Sequence, residues 1–265
     1  MNITNITRLG LYSALIIGLW ALPAVVRGSV VYEQYFTNTS LPLGNQPVSY
    51  SGWSSYVTTA TQSALNISNT TTTTPWTGIS SALGNPNSSN GYLAFVNYAT
   101  TASISAVTTG LSLNLTGATT VTWNMNSNVA MGVRFLVQIG SNWYASDSLI
   151  ATPTAAVNTT FSDVGTAAQV SFAFNSLKTT WRDFTLIDGG STGTGAMALG
   201  STTLSSDLDT SLVTGIGFYQ TGGGVTRIDS LVISTVPEPG TWALLVLSVS
   251  LGIILTRMRR RTTFV

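Results

Sequence analysis

The chain reads as an all-β protein, a two-sheet antiparallel sandwich of the jelly-roll type, flanked by an N-terminal signal helix and a C-terminal transmembrane helix. Three observations lead there. No segment between Ser29 and Val236 keeps a helical period, whereas short runs of alternating apolar and polar residues follow one another along the whole stretch. Only 7% of residues are charged, and Thr, Ser, Asn and Gly take their place, a composition poor in helix formers and rich in strand and turn residues. Polar and glycine-rich breaks divide the runs into about ten short strands, the pattern of two packed sheets.

Residues 1–28 carry Arg8, an apolar run from Leu9 to Leu22 and a break at Pro23, which is the layout of a secretory signal peptide. Residues 29–235 form the ectodomain. Its strands begin with Val30 to Phe36, apolar except for Glu33 and Gln34, and continue with Gly91 to Val96. Thr119 to Met125 places Val121, Trp123 and Met125 on one face. Met131, Val133, Phe135, Val137 and Ile139 keep the clearest period of two, opposed by Arg134 and Gln138. Asn142 to Ser146, Gln169 to Phe174, Trp181 to Ile187, Leu212 to Gln220 and Val225 to Ser234 follow. The glycines of Thr221-Gly222-Gly223-Gly224 suit a tight turn, so the last two strands read as a hairpin. Asn66 to Thr74 and Gly189 to Gly200 are low in complexity and read as exposed loops.

Composition removes much chemistry. The chain has no histidine and no cysteine, so Ser-His-Asp catalysis, thiol catalysis and imidazole or thiolate metal sites are excluded. No glycine-rich phosphate loop precedes a helix. The ectodomain sets Arg134, Lys178, Arg182 and Arg227 against Glu33, Asp147, Asp163, Asp183, Asp188, Asp207, Asp209 and Asp229. It is therefore acidic although the chain carries a formal charge of +1, and it lacks the basic stripe of a nucleic-acid binder. Asp207 and Asp209 have the spacing of two calcium ligands, but no further ligand pattern accompanies them. No cofactor or metal site is expected.

Residues 236–265 are organised differently. In Val236-Pro237-Glu238-Pro239 the two prolines, Pro237 and Pro239, cannot continue a strand ladder or a helix interior, so the segment before the apolar run is an extended pause. An uncharged apolar run from Thr241 to Thr256 follows, about 24 Å as a helix, with Trp242 at its outer end and Arg257, Arg259, Arg260 and Arg261 at its inner end. Indole and guanidinium groups extend the span that such a helix can cover, and the arginines hold their end on the cytoplasmic side. This three-part layout resembles the PEP-CTERM sorting signal of Gram-negative bacteria. The resemblance covers Val236 to Arg261. It implies an exosortase-type membrane transpeptidase as partner, an intermediate anchored in the inner membrane, and delivery to the cell surface or the extracellular matrix.

Sugar binding calls for exposed aromatic faces beside amide and carboxylate groups. Trp76, between Pro75 and Thr77 in a polar loop, and Trp143-Tyr144, after the Gly140-Ser141-Asn142 turn, are the candidate glycan contacts; core packing is the competing role, and it wins for Trp123. Val31-Tyr32-Glu33-Gln34-Tyr35-Phe36, Gly52-Trp53 and Thr214-Gly215-Ile216-Gly217-Phe218-Tyr219 with Arg227-Ile228-Asp229-Ser230-Leu231 look like the lectin-like jelly rolls common among PEP-CTERM proteins. Concanavalin-type and laminin-G-type sandwiches are similar in opening and closing with neighbouring strands. The expected function is that of an exported, non-catalytic surface or matrix protein, structural or glycan-binding, with extracellular polysaccharide as partner. The alternative is a secreted polysaccharide-degrading enzyme using Asp183 and Asp229. Deleting residues 236–265 should abolish surface display, measured by labelling of intact cells; unchanged display would refute the sorting role of the tail.

Overall fold

A computed structural model of the chain describes residues 28–36, 45–59, 62–64, 75–80, 91–97, 102–127, 132–152, 167–187 and 196–236. The signal segment, the tail from Pro237 onward and the Asn66 to Thr74 stretch lie outside the described residues. So do Met131 and Tyr98. Among the described residues no helix is long and apolar enough to cross a membrane.

The strands are β1 (Ser29–Gln34), β2 (Asn45–Gln46), β3 (Ser54–Thr59), β4 (Gln62–Ala64), β5 (Trp76–Ser80), β6 (Tyr92–Asn97), β7 (Ser103–Leu113) and β8 (Ala118–Ser127). They continue with β9 (Gly132–Ile139), β10 (Asn142–Ser146), β11 (Ile150–Ala151), β12 (Ala168–Phe174), β13 (Trp181–Ile187), β14 (Ala196–Thr203), β15 (Val213–Thr221) and β16 (Gly224–Val236). The only helical elements described are the 3-10 turns Val48–Ser51 and Lys178–Thr180. One sheet has seven strands in the order β12-β8-β16-β6-β5-β2, with β1 also on β16. The other has nine, β14-β13-β10-β9-β15-β7-β3-β4, with β11 on β9. The fold is thus all-β, two antiparallel sheets packed as a sandwich.

Alternation decides which residues fill the space between the sheets. From the seven-stranded sheet come Ile79, Leu93, Phe95, Val121, Trp123, Met125, Val170, Phe174, Ile228, Leu231 and Ile233. The nine-stranded sheet answers with Val57, Ile104, Ala106, Val133, Phe135, Val137, Trp181, Ile216 and Phe218. Inward residues of β16 are two apart up to Ile228 and then three apart to Leu231. The extra residue is accommodated at Ser230, the one non-glycine residue with positive φ among those described (55°), which kinks the strand as a bulge does.

The expected hairpin at Gly222 is not formed. β15 pairs with β7 and β9 in the nine-stranded sheet, whereas β16 pairs with β6 and β8 in the other, so the turn is an arch that carries the chain across the core. The buried Asn97 side chain holds this arch, its Nδ2 donating to Ala102 O at 2.9 Å and to Gly222 O at 2.8 Å. Gly222 at φ 91° supplies the backbone freedom that was expected of it, but in a different connection. Two further expectations are corrected. Trp76 opens β5 rather than lying in a loop, and the second half of the Gly189 to Gly200 segment is the start of β14, because Phe184, Thr185 and Leu186 of β13 offer it a partner edge.

At Gly217 β15 approaches β7 so closely that a Cβ would meet the Ala106 carbonyl oxygen and Val107 Cγ1. Gly217→Ala should therefore destabilise the domain by about 1–3 kcal/mol, read as a lower urea midpoint. An unchanged midpoint would refute the close approach.

Candidate functional site

Two surfaces of the nine-stranded sheet carry the candidate residues Trp143, Tyr144 and Asp183. The first is its outer face. A second apolar cluster forms there from Val107, Leu136, Trp143, Ala145, Phe184 and Tyr219, with Tyr56, Leu186, Met197 and Leu199 packed against it. Phe184 of β13 and Tyr219 of β15 are separated by two strands, about 14 Å on a flat sheet, yet their ring centroids are 4.8 Å apart. Ser105 Oγ of β7 likewise donates to Met197 Sδ of β14 at 3.0 Å across four intervening strands. The sheet is therefore curled with this face concave, and its own side chains fill the hollow.

Trp143 belongs to that filling. It faces Gln138 and Phe184 across its two ladders and is only 8% exposed. Its ring lies over Gly215, where a Cβ would come within 3.0 Å of it. A polar rim closes one end. Arg134 Nη1 donates to the carbonyls of Ser146 and Asp147, Arg182 Nε pairs with the Asp147 carboxylate, and the Tyr219 hydroxyl is 3.1 Å from Ser103 Oγ. Burial, and then the neighbouring Arg182, push the Arg134 pKa down from its ordinary value, while Asp147 and Tyr219 oppose the shift.

The second surface is a groove of about 480 Å³ lined by Ile139, Tyr144, Asp183, residues 202–206, Asp207, Leu208 and Asp209. It has a local cause. In the β13–β14 ladder Arg182 faces Thr203 and Phe184 faces Leu199, so residues 200–202 bulge opposite Asp183. Arg182 Nη1 steadies the bulge by donating to Gly200 O at 3.3 Å and Ser201 O at 3.0 Å. A Cβ at Gly200 would lie 3.1 Å from Asp183 O, so glycine lets the bulge sit close to β13. Residues 204–209 then form the far wall. Leu204 N donates to Trp181 O at 3.1 Å, Leu208 N to Ser176 O at 2.8 Å, and Lys178 N to Asp207 Oδ1 at 2.8 Å. Asp209 Oδ1 accepts from Ser211 N and Oγ at 3.0 and 2.6 Å, and these bonds hold its pKa below the usual carboxylate value.

Tyr144 and Asp183 are direct cross-strand partners, so ring and carboxylate stand together on one wall. Asp183 is exposed and has no hydrogen-bond or ion-pair partner among the described residues. Arg182 pairs with Asp147 rather than with Asp183. The structure does not bring Asp229 to this groove: it sits on β16 of the other sheet, 1% exposed, and its Oδ1 accepts from Phe36 N at 3.0 Å. Among the described residues no three His, Cys, Asp or Glu side chains cluster as metal ligands. Trp76 lies on β5 of the seven-stranded sheet, paired with Val96. Residues 202–206 were missed by the sequence reading; a run of Thr and Ser gives no signal of a wall until β13 is placed beside it.

No protein-family model and no curated protein sequence matches the chain. Among solved structures it is similar to a family 11 carbohydrate-binding module from Clostridium thermocellum, in complex with a β-1,3-1,4-mixed-linked tetrasaccharide, at TM-score 0.40 and 14% identity over 78% of this chain and 97% of that one. The xylan-binding CBM22-1 domain from Paenibacillus barcinonensis gives TM-score 0.36 and 8% identity over 80% and 98%. The K3 adhesin domain of Lys-gingipain from Porphyromonas gingivalis gives 0.32 and 16% over 78% and 100%. Likenesses this loose carry no argument about a ligand, and the sandwich described above stands on its own two sheets.

Trp143→Ala should cost about 3–5 kcal/mol of stability by urea denaturation, as for other buried tryptophans. A loss below about 0.5 kcal/mol, the size usual at exposed sites, would show that Trp143 is a surface platform after all.

Proposed function

We propose that this chain is an exported cell-surface or extracellular-matrix protein, sorted through its Pro-Glu-Pro, transmembrane and arginine tail, whose sandwich binds glycan without catalysis. The observation that carries the binding reading is the groove beside β14. Its Tyr144 ring supplies an apolar face, Asp183 a carboxylate with acceptor capacity to spare, and Thr202, Thr203, Ser205 and Ser206 a wall rich in hydroxyls. The backbone bonds and the Asp207 and Asp209 contacts fix that wall before any ligand arrives, which lowers the ordering cost of binding.

Catalysis by a carboxylate pair would need two acids facing one sugar. Asp229 is buried against the backbone of Phe36, and Asp207 and Asp209 are engaged with Lys178 and Ser211. The lining carries carboxylates and no cationic side chain, which favours neutral glycans over polyuronates.

Affinity electrophoresis of the full chain tests this. A neutral β-glucan should retard it and a polyuronate should not, and Tyr144→Ala should weaken retention about three- to tenfold, the range of a lost aromatic contact. Retention unaffected by Tyr144→Ala would move the site elsewhere, and new reducing ends would restore the enzyme reading.

A further inference from the structure

Among the described residues the sheet edges are protected, with one exception. β2 has two residues, β4 three and β11 two; β14 is broken by its bulge; and β1 carries Glu33. Short, bulged or charged edges are the usual means of preventing strand addition. β12 has none of these features. Its seven residues, Ala-Gln-Val-Ser-Phe-Ala-Phe, contain no charge, proline or glycine, and they pair with β8 in unbroken register from Ala168↔Met125 to Phe174↔Thr119. β12 ends the seven-stranded sheet, and among the described residues no strand pairs with its other side. Phe172, half-buried between Phe135 and Trp181, stands at this edge.

We infer that β12 is an assembly edge that pairs with β12 of a second copy of this chain, antiparallel about a two-fold axis at Ser171. The strand is complementary to itself in that register. Ser171 meets Ser171, Val170 meets Phe172, Gln169 meets Ala173 and Ala168 meets Phe174, so apolar residues face each other on the core side and small or polar ones on the outer side. No charges oppose one another. A second copy also supplies an edge of the same length with the same unpaired N–H and C=O groups, so both edges are satisfied by one symmetric contact. Two seven-stranded sheets become one continuous sheet, and Phe172 is covered by Val170 of the partner. The inference does not depend on glycan binding.

The absence of cysteine makes the test clean. Opposed residues of an antiparallel pair have Cα atoms about 4.5–5.5 Å apart, within the span of a disulfide. Purified full-length Ser171→Cys should therefore give, after mild oxidation, about tenfold more disulfide dimer on a non-reducing gel than Ser201→Cys, a control in the exposed bulge of β14. Ser171→Lys and Ser171→Asp should each lose the chemically cross-linked dimer of the wild-type chain, and a mixture of the two should regain it. Equal dimer from both cysteine variants, or a dimer that survives Ser171→Lys, would overturn the inference.

Discussion

The Phe218 ring ties the two sheets together. It lies on β15, in the interior of the nine-stranded sheet, and its centroid is 5.2 Å from Trp123 across the core, 5.8 Å from Phe135 on the neighbouring strand and 6.2 Å from Trp53. Trp53 in turn meets Phe36 edge-on at 5.1 Å. With no disulfide available, the sandwich depends on this kind of contact, in which large rings remove the most apolar area from water and edge-to-face geometry adds to it. The glycines beside Phe218 have a matching role on the opposite face. Gly215 and Gly217 leave space for Trp143 and Val107, so that β15 is packed on both sides.

Burial on both sides blurs the period of a strand, although the apolar runs of β6 and β15 still mark them in the sequence. β8, β10, β12 and β13 face solvent on at least part of one side, so their alternation shows in the sequence. β7 is the longest described strand of its sheet and is absent from the sequence-based set: Ile104 and Ala106 point to the main core while Ser105 and Val107 are buried on the concave side, and the alternation of Ser103-Ile104-Ser105-Ala106 is carried by small residues and breaks at Val107-Thr108-Thr109. Leu136 hides in the same way between Arg134 and Gln138. The arch at Gly222 was misread because positive φ suits a hairpin and a crossing equally well; the choice depends on which strands β15 and β16 meet, and those are distant in sequence.

The candidate site was half legible for a related reason. The sequence offers Trp143 and Tyr144 as one aromatic pair, but neighbours on a strand point to opposite faces, and the structure sends the tryptophan into the filled hollow and the tyrosine to the groove. Period-two geometry alone already separated them. The wall opposite Tyr144 could not be read at all, since it exists only through the bulge of residues 200–202 against Asp183 and the backbone bonds that fasten residues 204–209.

The position of β16 has a mechanical meaning. This strand is flanked in its sheet by β6 and β8, also pairs with β1, and ends at Val236, where the tail begins. A load placed on Val236 along the strand direction would enter the sheet through an interior strand. Its hydrogen bonds to the neighbours on either side would be loaded together, in shear, instead of opening one after another as they do when an edge strand is peeled away. Loaded through this end, the sandwich would yield as a unit and not strand by strand.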